Sequence, residues 1–406
     1  MSPERYDVVV IGAGMVGAAF ACALRGSGLR LAVVESRAPS MDWPSDSVDL
    51  RVSAISAASQ QTFAALGTWD RMAALGVSPF REMYVWDAAG AGAIHFDSAD
   101  IAESRLGHIV ENRVIQRALY ERLSDTAHVE LRCPARLAAL QFTQDEAMVV
   151  LDDGSRLGGR LVVAADGGQS RARELAGIET TGAPYGQHAV VTHVRTRESH
   201  HSTAWQRFLA TGPLAFLPLR DGRSSIVWST TPSHAEELLG MDEAQFCATL
   251  GSAFDQKLGP VLSCGPRAAF VLQRRHAVRY VRPRLALVGD SAHVIHPLAG
   301  QGVNLGLLDA AALAEVLEAE VRRGGDVGAW QVLRRYERWR KGENQRMMSA
   351  MDVLKRLFES QREPIAWLRN AGLRATDAAW PVKRMLMRHA MGLSGDLPQL
   401  ARPGCP

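Results

Sequence analysis

The sequence predicts an α/β protein in which a parallel-sheet domain carries an inserted, mostly antiparallel β-sheet domain and a C-terminal helical region. Three observations predict it. Buried-type strand runs recur at Val8-Val9-Val10-Ile11, Leu161-Val162-Val163-Ala164-Ala165 and Leu285-Ala286-Leu287-Val288. They are short, β-branched or leucine-rich, and lack the polar alternation of a half-exposed strand. Between about 180 and 275 the runs alternate instead, as in Ala189-Val190-Val191 and Ser225-Ile226-Val227-Trp228, with Asp221-Gly222 as a turn signal. From Asp309 onward the periodicity is helical, and Met347, Met351, Leu354 and Phe358 form one stripe.

The chain has 406 residues, which implies two or three domains at roughly 150 residues each. Charged residues make up 22% and hydrophobic residues 47%, the balance of a globular protein rather than a disordered one. A net charge of +3 is too small for a nucleic-acid binder of this size. No apolar run approaches the roughly 20 residues that span a bilayer. The opening residues lead at once into a strand, so no signal peptide is expected, and a cytoplasmic location follows. Cys22, Cys133, Cys247, Cys264 and Cys405 are odd in number and widely spaced, which predicts reduced thiols. Charge is uneven: residues 334–388 hold 14 Lys/Arg against 6 Asp/Glu, a net +8. This segment reads either as a contact for anionic lipid or a protein partner, or as a helical layer with a solvated basic face.

The first strand runs into Gly12-Ala13-Gly14-Met15-Val16-Gly17, a GxGxxG turn that opens a helix. Gly12 permits the tight turn, Gly14 lets backbone approach a pyrophosphate, and Gly17 lets helix and strand pack closely. A helix N-terminus there attracts an anion with about 0.3–1 kcal/mol. Leu31-Ala32-Val33-Val34 is the next strand, and Glu35 ends it. A carboxylate at that place accepts hydrogen bonds from a ribose diol and repels a 2′-phosphate, so the adenosine is NAD-like or FAD-like. The other two buried strands end in Asp166-Gly167 and Gly289-Asp290. Ligands gather at the carboxyl ends of parallel strands. Three such ends delivering an acid or a glycine turn suit an extended cofactor such as FAD, whereas NAD would not need the last two.

Taken together, GxGxxG at residue 12, DGxxSxxR at 166–173 and GDSAHxxHPxxGQGxN at 289–304 resemble the aromatic-ring flavoprotein monooxygenases of the p-hydroxybenzoate hydroxylase type. Glu111-Asn112-Arg113, the stretch from Arg207 to Leu219 and the run Met391-Gly392-Leu393-Ser394-Gly395-Asp396-Leu397-Pro398 narrow the resemblance to the FAD-dependent hydroxylases of ubiquinone biosynthesis. The resemblance covers nearly the whole chain. It implies a discontinuous Rossmann-like FAD-binding domain at 1–70, 105–180 and 275–335, a substrate domain at 71–104 and 181–274, and a helical region at 336–406.

By the same resemblance, Asp290 bonds the ribityl chain of FAD, and Gly302, Val303 and Asn304 present backbone N–H groups to the flavin pyrimidine. Arg51 and Arg113 contact the cofactor from adjoining segments. Asp166 sits in a motif linked to both FAD and the incoming nicotinamide. The alternative for each is an ion pair or a turn cap. Asp290, His293 and His296 could be read as metal ligands, but a glycine turn leading into a helix favours a flavin loop, so no metal is expected. The implied chemistry is NAD(P)H reduction of tightly bound FAD, then O2 addition to give a C4a-hydroperoxide that hydroxylates a phenol ring. No residue spacing nominates a general base, so the backbone near Pro297 and Gly300 is the candidate for steadying that species. Phe216, Leu217 and Trp228, with Leu209 and Leu214, are candidate pocket residues, against ordinary sheet core. The substrate implied is a polyprenylated phenol. A small soluble phenol, or prenyl reduction on the same fold, are the alternatives. A homo-oligomer and a peripheral position at the inner membrane face are both compatible with the sequence.

Overall fold

The computed structural model describes residues 3–44, 46–295, 302–360 and 362–404. Its first sheet has the order Val281–Arg282, Leu285–Leu287, Arg156–Ala164, Glu4–Ile11, Leu31–Val34, Val129–Arg132. The last five of these strands run parallel, and the antiparallel hairpin Leu137–Phe142/Ala147–Leu151 extends the strand at Arg156–Ala164. Val8, Val9, Val10, Val162 and Val163 are fully buried, as expected for strands covered on both faces. The helices Met15–Ala23 and Gly302–Val321 pack on this sheet and against each other. Their crossing is close because Gly306 has no side chain: a Cβ there would stand 2.6 Å from Val16.

The second sheet has the order Val261–Cys264, Pro184–Thr196, Ser224–Thr230, Gly212–Pro218, Thr203–Leu209, Glu82–Asp87, Ala93–Asp97. Every pairing along it is antiparallel except Thr203–Leu209 with Glu82–Asp87. The helices Pro232–Gly240 and Glu243–Ala253 cover one face of this sheet. Thr231 caps the first, and Asp242 with Gln245 forms a capping box on the second.

The C-terminal region is helical: Trp330–Glu359, Glu363–Ala378 and Trp380–Ala390. The predicted stripe on the long helix holds at Phe358, which stacks on Phe208 at 3.7 Å. It fails at Leu354, which is exposed, while Met348 is buried in its place. The region is fastened to the second sheet by Asp87. Arg369 Nε lies 2.6 Å and Asn370 Nδ2 2.9 Å from Asp87 Oδ2. Arg369 also donates to the carbonyls of Leu357, Phe358 and Ser360, closing the end of the long helix. No helix among the described residues is long and apolar enough to cross a membrane.

Candidate active site

Registered pairing brings the strand ends together. Ile11 lies opposite Ala164 on one side and Val34 on the other, and Ala164 lies opposite Leu287. The glycine turn follows the central strand. Gly12 has φ +101°, and a Cβ on it would sit 2.5 Å from Ala165 O. A Cβ on Gly17 would sit 2.0 Å from Gly12 O, so both positions are closed to side chains. Gly14 differs, because a Cβ there meets nothing within 4 Å. The helix starts at Gly14 with no side-chain cap, so the first-turn amides face that open space. Glu35 Oε2 accepts the Ala13 N–H at 2.7 Å, tying the acid to the glycine turn.

Asp290 follows the third strand end. It is exposed by surface area, yet surrounding protein mass desolvates its carboxyl and raises it above the usual carboxylate range, with His293 and Arg51 pulling the other way. Both observations hold for a group on the floor of an open groove. Arg51 is exposed, its guanidinium lies 5.5 Å from the centre of the Phe270 ring, and among the described residues no carboxylate stands within salt-bridge distance of it, although its charge acts on Asp290. Asp166 is engaged within its own turn. It accepts the Ala172 N–H at 2.9 Å and the Ser170 hydroxyl, and burial still pushes its carboxyl up. Arg113 is likewise engaged. It pairs with Glu111 at 2.7 Å, bonds Ser47 and lies over the Trp43 ring, which leaves only its Nε unpartnered.

Gly302, Val303 and Asn304 begin the helix Gly302–Val321. The Asn304 side chain accepts the Ser56 N–H at 3.1 Å and donates to Ala54 O at 2.8 Å, so it fixes the helix start to a neighbouring segment. Pro297, Gly300 and His296 lie outside the described residues.

The pocket expectation needs correction at three residues: Leu214 is fully buried in one core cluster with Phe216 and Trp228. Phe216 stacks on Phe254 at 3.7 Å, and Trp228 is 2% exposed in the same cluster with Leu238, Phe246 and Leu250. They form the core under the two covering helices. Alternation along the strand puts Leu217 on the opposite face, partly exposed, beside Ala215 and across from Ser225.

Two features escaped the sequence reading. Arg173, the last residue of the DGxxSxxR motif, is buried and donates to Ser291 O at 2.8 Å and Gly168 O at 3.0 Å, joining two motifs that are distant in sequence. Its place in the motif was the available signal. The second is Asp309, fully buried behind Asp290. It accepts from His293 Nε2 at 2.5 Å, Arg340 Nε at 2.9 Å, Asn344 Nδ2 at 2.9 Å and the Gly289 amide at 3.3 Å. Burial alone would push its carboxyl up, but these partners more than offset it and hold it below the usual range. His293, considered above as a metal ligand, is thus committed to Asp309. Among the described residues, a group with metal-ligand spacing is Glu243, Cys247 and Cys264, whose donor atoms lie within 4.8 Å of one another at the edge of the second sheet.

The open space over Gly14, the uncapped helix start, the unpaired Arg51 and the grooved Asp290 fit an extended dinucleotide. A family profile described as "FAD binding domain" matches residues 5–351. The chain belongs to this FAD-binding family. Its cofactor is FAD. This flavoprotein is 38% identical over 395 residues to 3-demethoxyubiquinol 3-hydroxylase of Escherichia coli, which covers 97% of the chain and the whole of that protein. It is 39% identical over 399 residues to the ubiquinone hydroxylase UbiL of Rhodospirillum rubrum, covering 98% of the chain and 92% of that protein. Among solved structures, p-nitrophenol 4-monooxygenase PnpA from Pseudomonas putida DLL-E4 superposes with a TM-score of 0.78 at 21% identity, covering 96% of this chain and 98% of that one. This last likeness establishes a common fold. By family and relatives, the flavoprotein is an FAD-dependent monooxygenase.

Proposed function

We propose that this monooxygenase hydroxylates the aromatic ring of a polyprenylated phenol in ubiquinone biosynthesis, taking electrons from NAD(P)H and oxygen from O2. The observation that carries this reading is the meeting of three registered strand ends and a helix start at one groove, in a chain similar along its whole length to ubiquinone hydroxylases. Bound FAD supplies the redox and oxygen-transfer chemistry. The protein's part is binding, orientation and exclusion of water. Gly12, Gly14 and Gly17 shape the amide cradle for the pyrophosphate, and Glu35 accepts the ribose hydroxyls. Arg51 answers phosphate charge, while Arg113 orders the adjoining loop through Ser47. Asp290 would hold the ribityl chain, and the amides of Gly302, Val303 and Asn304 at the helix start would face the flavin ring and favour negative charge on it. Asp166 shapes the turn beside that groove. The cofactor unit is 1–70, 105–180 and 275–335, and Leu217 lies on the substrate-facing side of the unit formed by 71–104 and 181–274.

A prenyl tail poses a second demand. Each five-carbon unit buried contributes about 3–4 kcal/mol. Eight units would exceed the practical affinity ceiling of about 20 kcal/mol, so the protein needs to hold only the first one or two. The rest stays in lipid. The helices Glu363–Ala378 and Trp380–Ala390 supply a surface for that. Trp367 is 70% exposed, Met385 62% and Trp380 50%, with Arg374 and Arg388 exposed among them. Apolar and basic groups together are the two signals that peripheral binding to an anionic membrane requires.

The test is turnover of a short-chain prenylphenol with NADH under 18O2. One labelled oxygen on the ring is the expected product. NADH consumption without O2 uptake, with a saturated prenyl chain, would replace the reading by prenyl reduction. A preference for an unprenylated phenol would replace the substrate class. In a deletion strain, one under-hydroxylated prenylphenol should accumulate.

A further inference from the structure

Asp309 divides its two oxygens between two parts of the chain. Oδ1 accepts from Arg340 and Asn344, both on the helix Trp330–Glu359. Oδ2 accepts from the Gly289 amide and from His293 Nε2. Arg340 supplies one full positive charge against the carboxylate, and Asn344 satisfies its neighbouring lone pair. A fold that needed only to bury this acid is complete with those two. The bonds on Oδ2 are surplus to that need, and both fall on the segment 289–293, one on each side of Asp290.

The turn they bracket has little other freedom. Gly289 has φ +61°, and a Cβ on it would stand 3.1 Å from Val16 in the glycine-turn helix. The turn is therefore held between that helix on one side and Asp309 on the other. Asp309 also belongs to the helix whose first residues, Gly302 to Asn304, form another edge of the groove. One rigid element thus carries an edge of the groove and the clamp on Asp290. Arg340 is 3% exposed, Asn344 fully buried and His293 1% exposed, so no water competes for these bonds.

We infer that the Asp309 carboxylate, through Gly289 and His293, is a positioning group that presets the Asp290 turn for FAD before the cofactor arrives. The inference rests on the FAD reading of the groove and adds that groove shape is imposed from behind by a buried clamp. Preorganisation of this kind raises affinity by removing ordering cost at binding.

The test compares two substitutions at one position. His293→Gln keeps an amide donor in reach of Asp309, and His293→Leu keeps volume without a donor. FAD dissociation constants are measured on stripped protein by flavin fluorescence, with the visible spectrum of the bound flavin recorded alongside. His293→Gln should bind FAD within about threefold of wild type. His293→Leu should bind at least about tenfold more weakly, with a shifted flavin band. Equal FAD affinity and spectrum in both variants, with only the melting temperature lowered, would overturn the inference and make the clamp purely structural. Should His293→Leu fail to fold, hydrogen exchange of stripped wild-type protein decides instead. Slow exchange of the Gly289 amide supports presetting, and exchange at open-loop rates overturns it. Failure of wild type itself to take up FAD would sink the reading of the groove, a result distinct from either variant outcome.

Discussion

Two buried aspartates hold this molecule together, and they differ instructively. Asp309 and Asp87 each pair with an arginine and an asparagine from the C-terminal helices. Asp87 spends its contacts on fastening: Arg369 joins the second sheet to the helical layer and closes the end of the long helix. Asp309 does the same kind of fastening with one oxygen and reaches the cofactor turn with the other. The same chemical unit serves as a rivet in one place and as a rivet plus an aiming device in the other. What distinguishes them is the second oxygen, not the charge.

The contrast can be broken most decisively from the cofactor side. Gly17→Ala puts a Cβ where Gly12 O stands 2.0 Å away, so the glycine turn must shift. The expected outcome is colourless protein that takes up no FAD in a fluorescence titration, while binding to anionic vesicles through the helical layer persists. Retained yellow colour would contradict the cradle.

Arg369→Met strikes the other hub. It leaves Asp87 buried without its cation and should cost about 3–5 kcal/mol in denaturant unfolding, with FAD still bound by the folded fraction. Adding Asp87→Leu should recover a large part of that loss, because the unpaired charge is gone. If the double variant is no more stable than the single one, the carbonyl contacts of Arg369 matter more than its ion pair.

Acid separates the halves more gently. Burial, with Arg105 adding to it, pushes His108 down to about 4. Burial, with His293, Lys341 and Arg274 adding to it, pushes His276 down to about 4 as well. Both stay neutral when folded and would charge when unfolded. Their stabilisation is complete above the unfolded value near 6.5 and is lost as pH falls from there to about 4, roughly 1–3 kcal/mol each. His276 bonds Tyr280, which Asn344 of the Asp309 hub also reaches. The Asp87 hub has no histidine among the partners described. Melting curves from pH 7 to 4.5 should therefore show FAD release before the helical layer unfolds, and His276→Gln should flatten the slope.

The smallest change in stability is expected on the outer face. Trp367→Ser with Trp380→Ser should leave unfolding within about 0.5 kcal/mol of wild type and lower partition onto anionic vesicles about tenfold. Unchanged partition would assign the face to something other than lipid.

The sequence made the groove legible where chemistry dictates residue type at fixed spacing. Gly12 and Gly17 could be named because a tight turn and a close crossing each demand one kind of residue, and Glu35 because it ends the second strand beside the glycine turn, whose Ala13 amide it accepts. The hubs were not legible in that way. Arg340 and Arg369 belong to the stretch that carries the +8 excess, and composition cannot tell a solvated arginine from one whose partner lies 31 residues away, as for Arg340, or 282 away, as for Arg369. Phe216 and Trp228 were nominated for a pocket because apolar character is the same in core and cleft. Only the alternation around Leu217 and the position of the covering helices separate the two. The parallel pairing of Glu82–Asp87 with Thr203–Leu209 has no local signal, since it joins segments that no turn connects.

The reach of Asp309 sets an order on synthesis. Every nucleotide motif has left the ribosome by Asn304, yet the carboxylate that steadies Gly289 waits for Arg340 and Asn344, made some forty residues later. A nascent chain halted between those points carries the full signature for its coenzyme with an uncompensated buried acid behind the groove. On the positioning role inferred for Asp309, a chain that ends before the long helix should hold the coenzyme more weakly than the full chain.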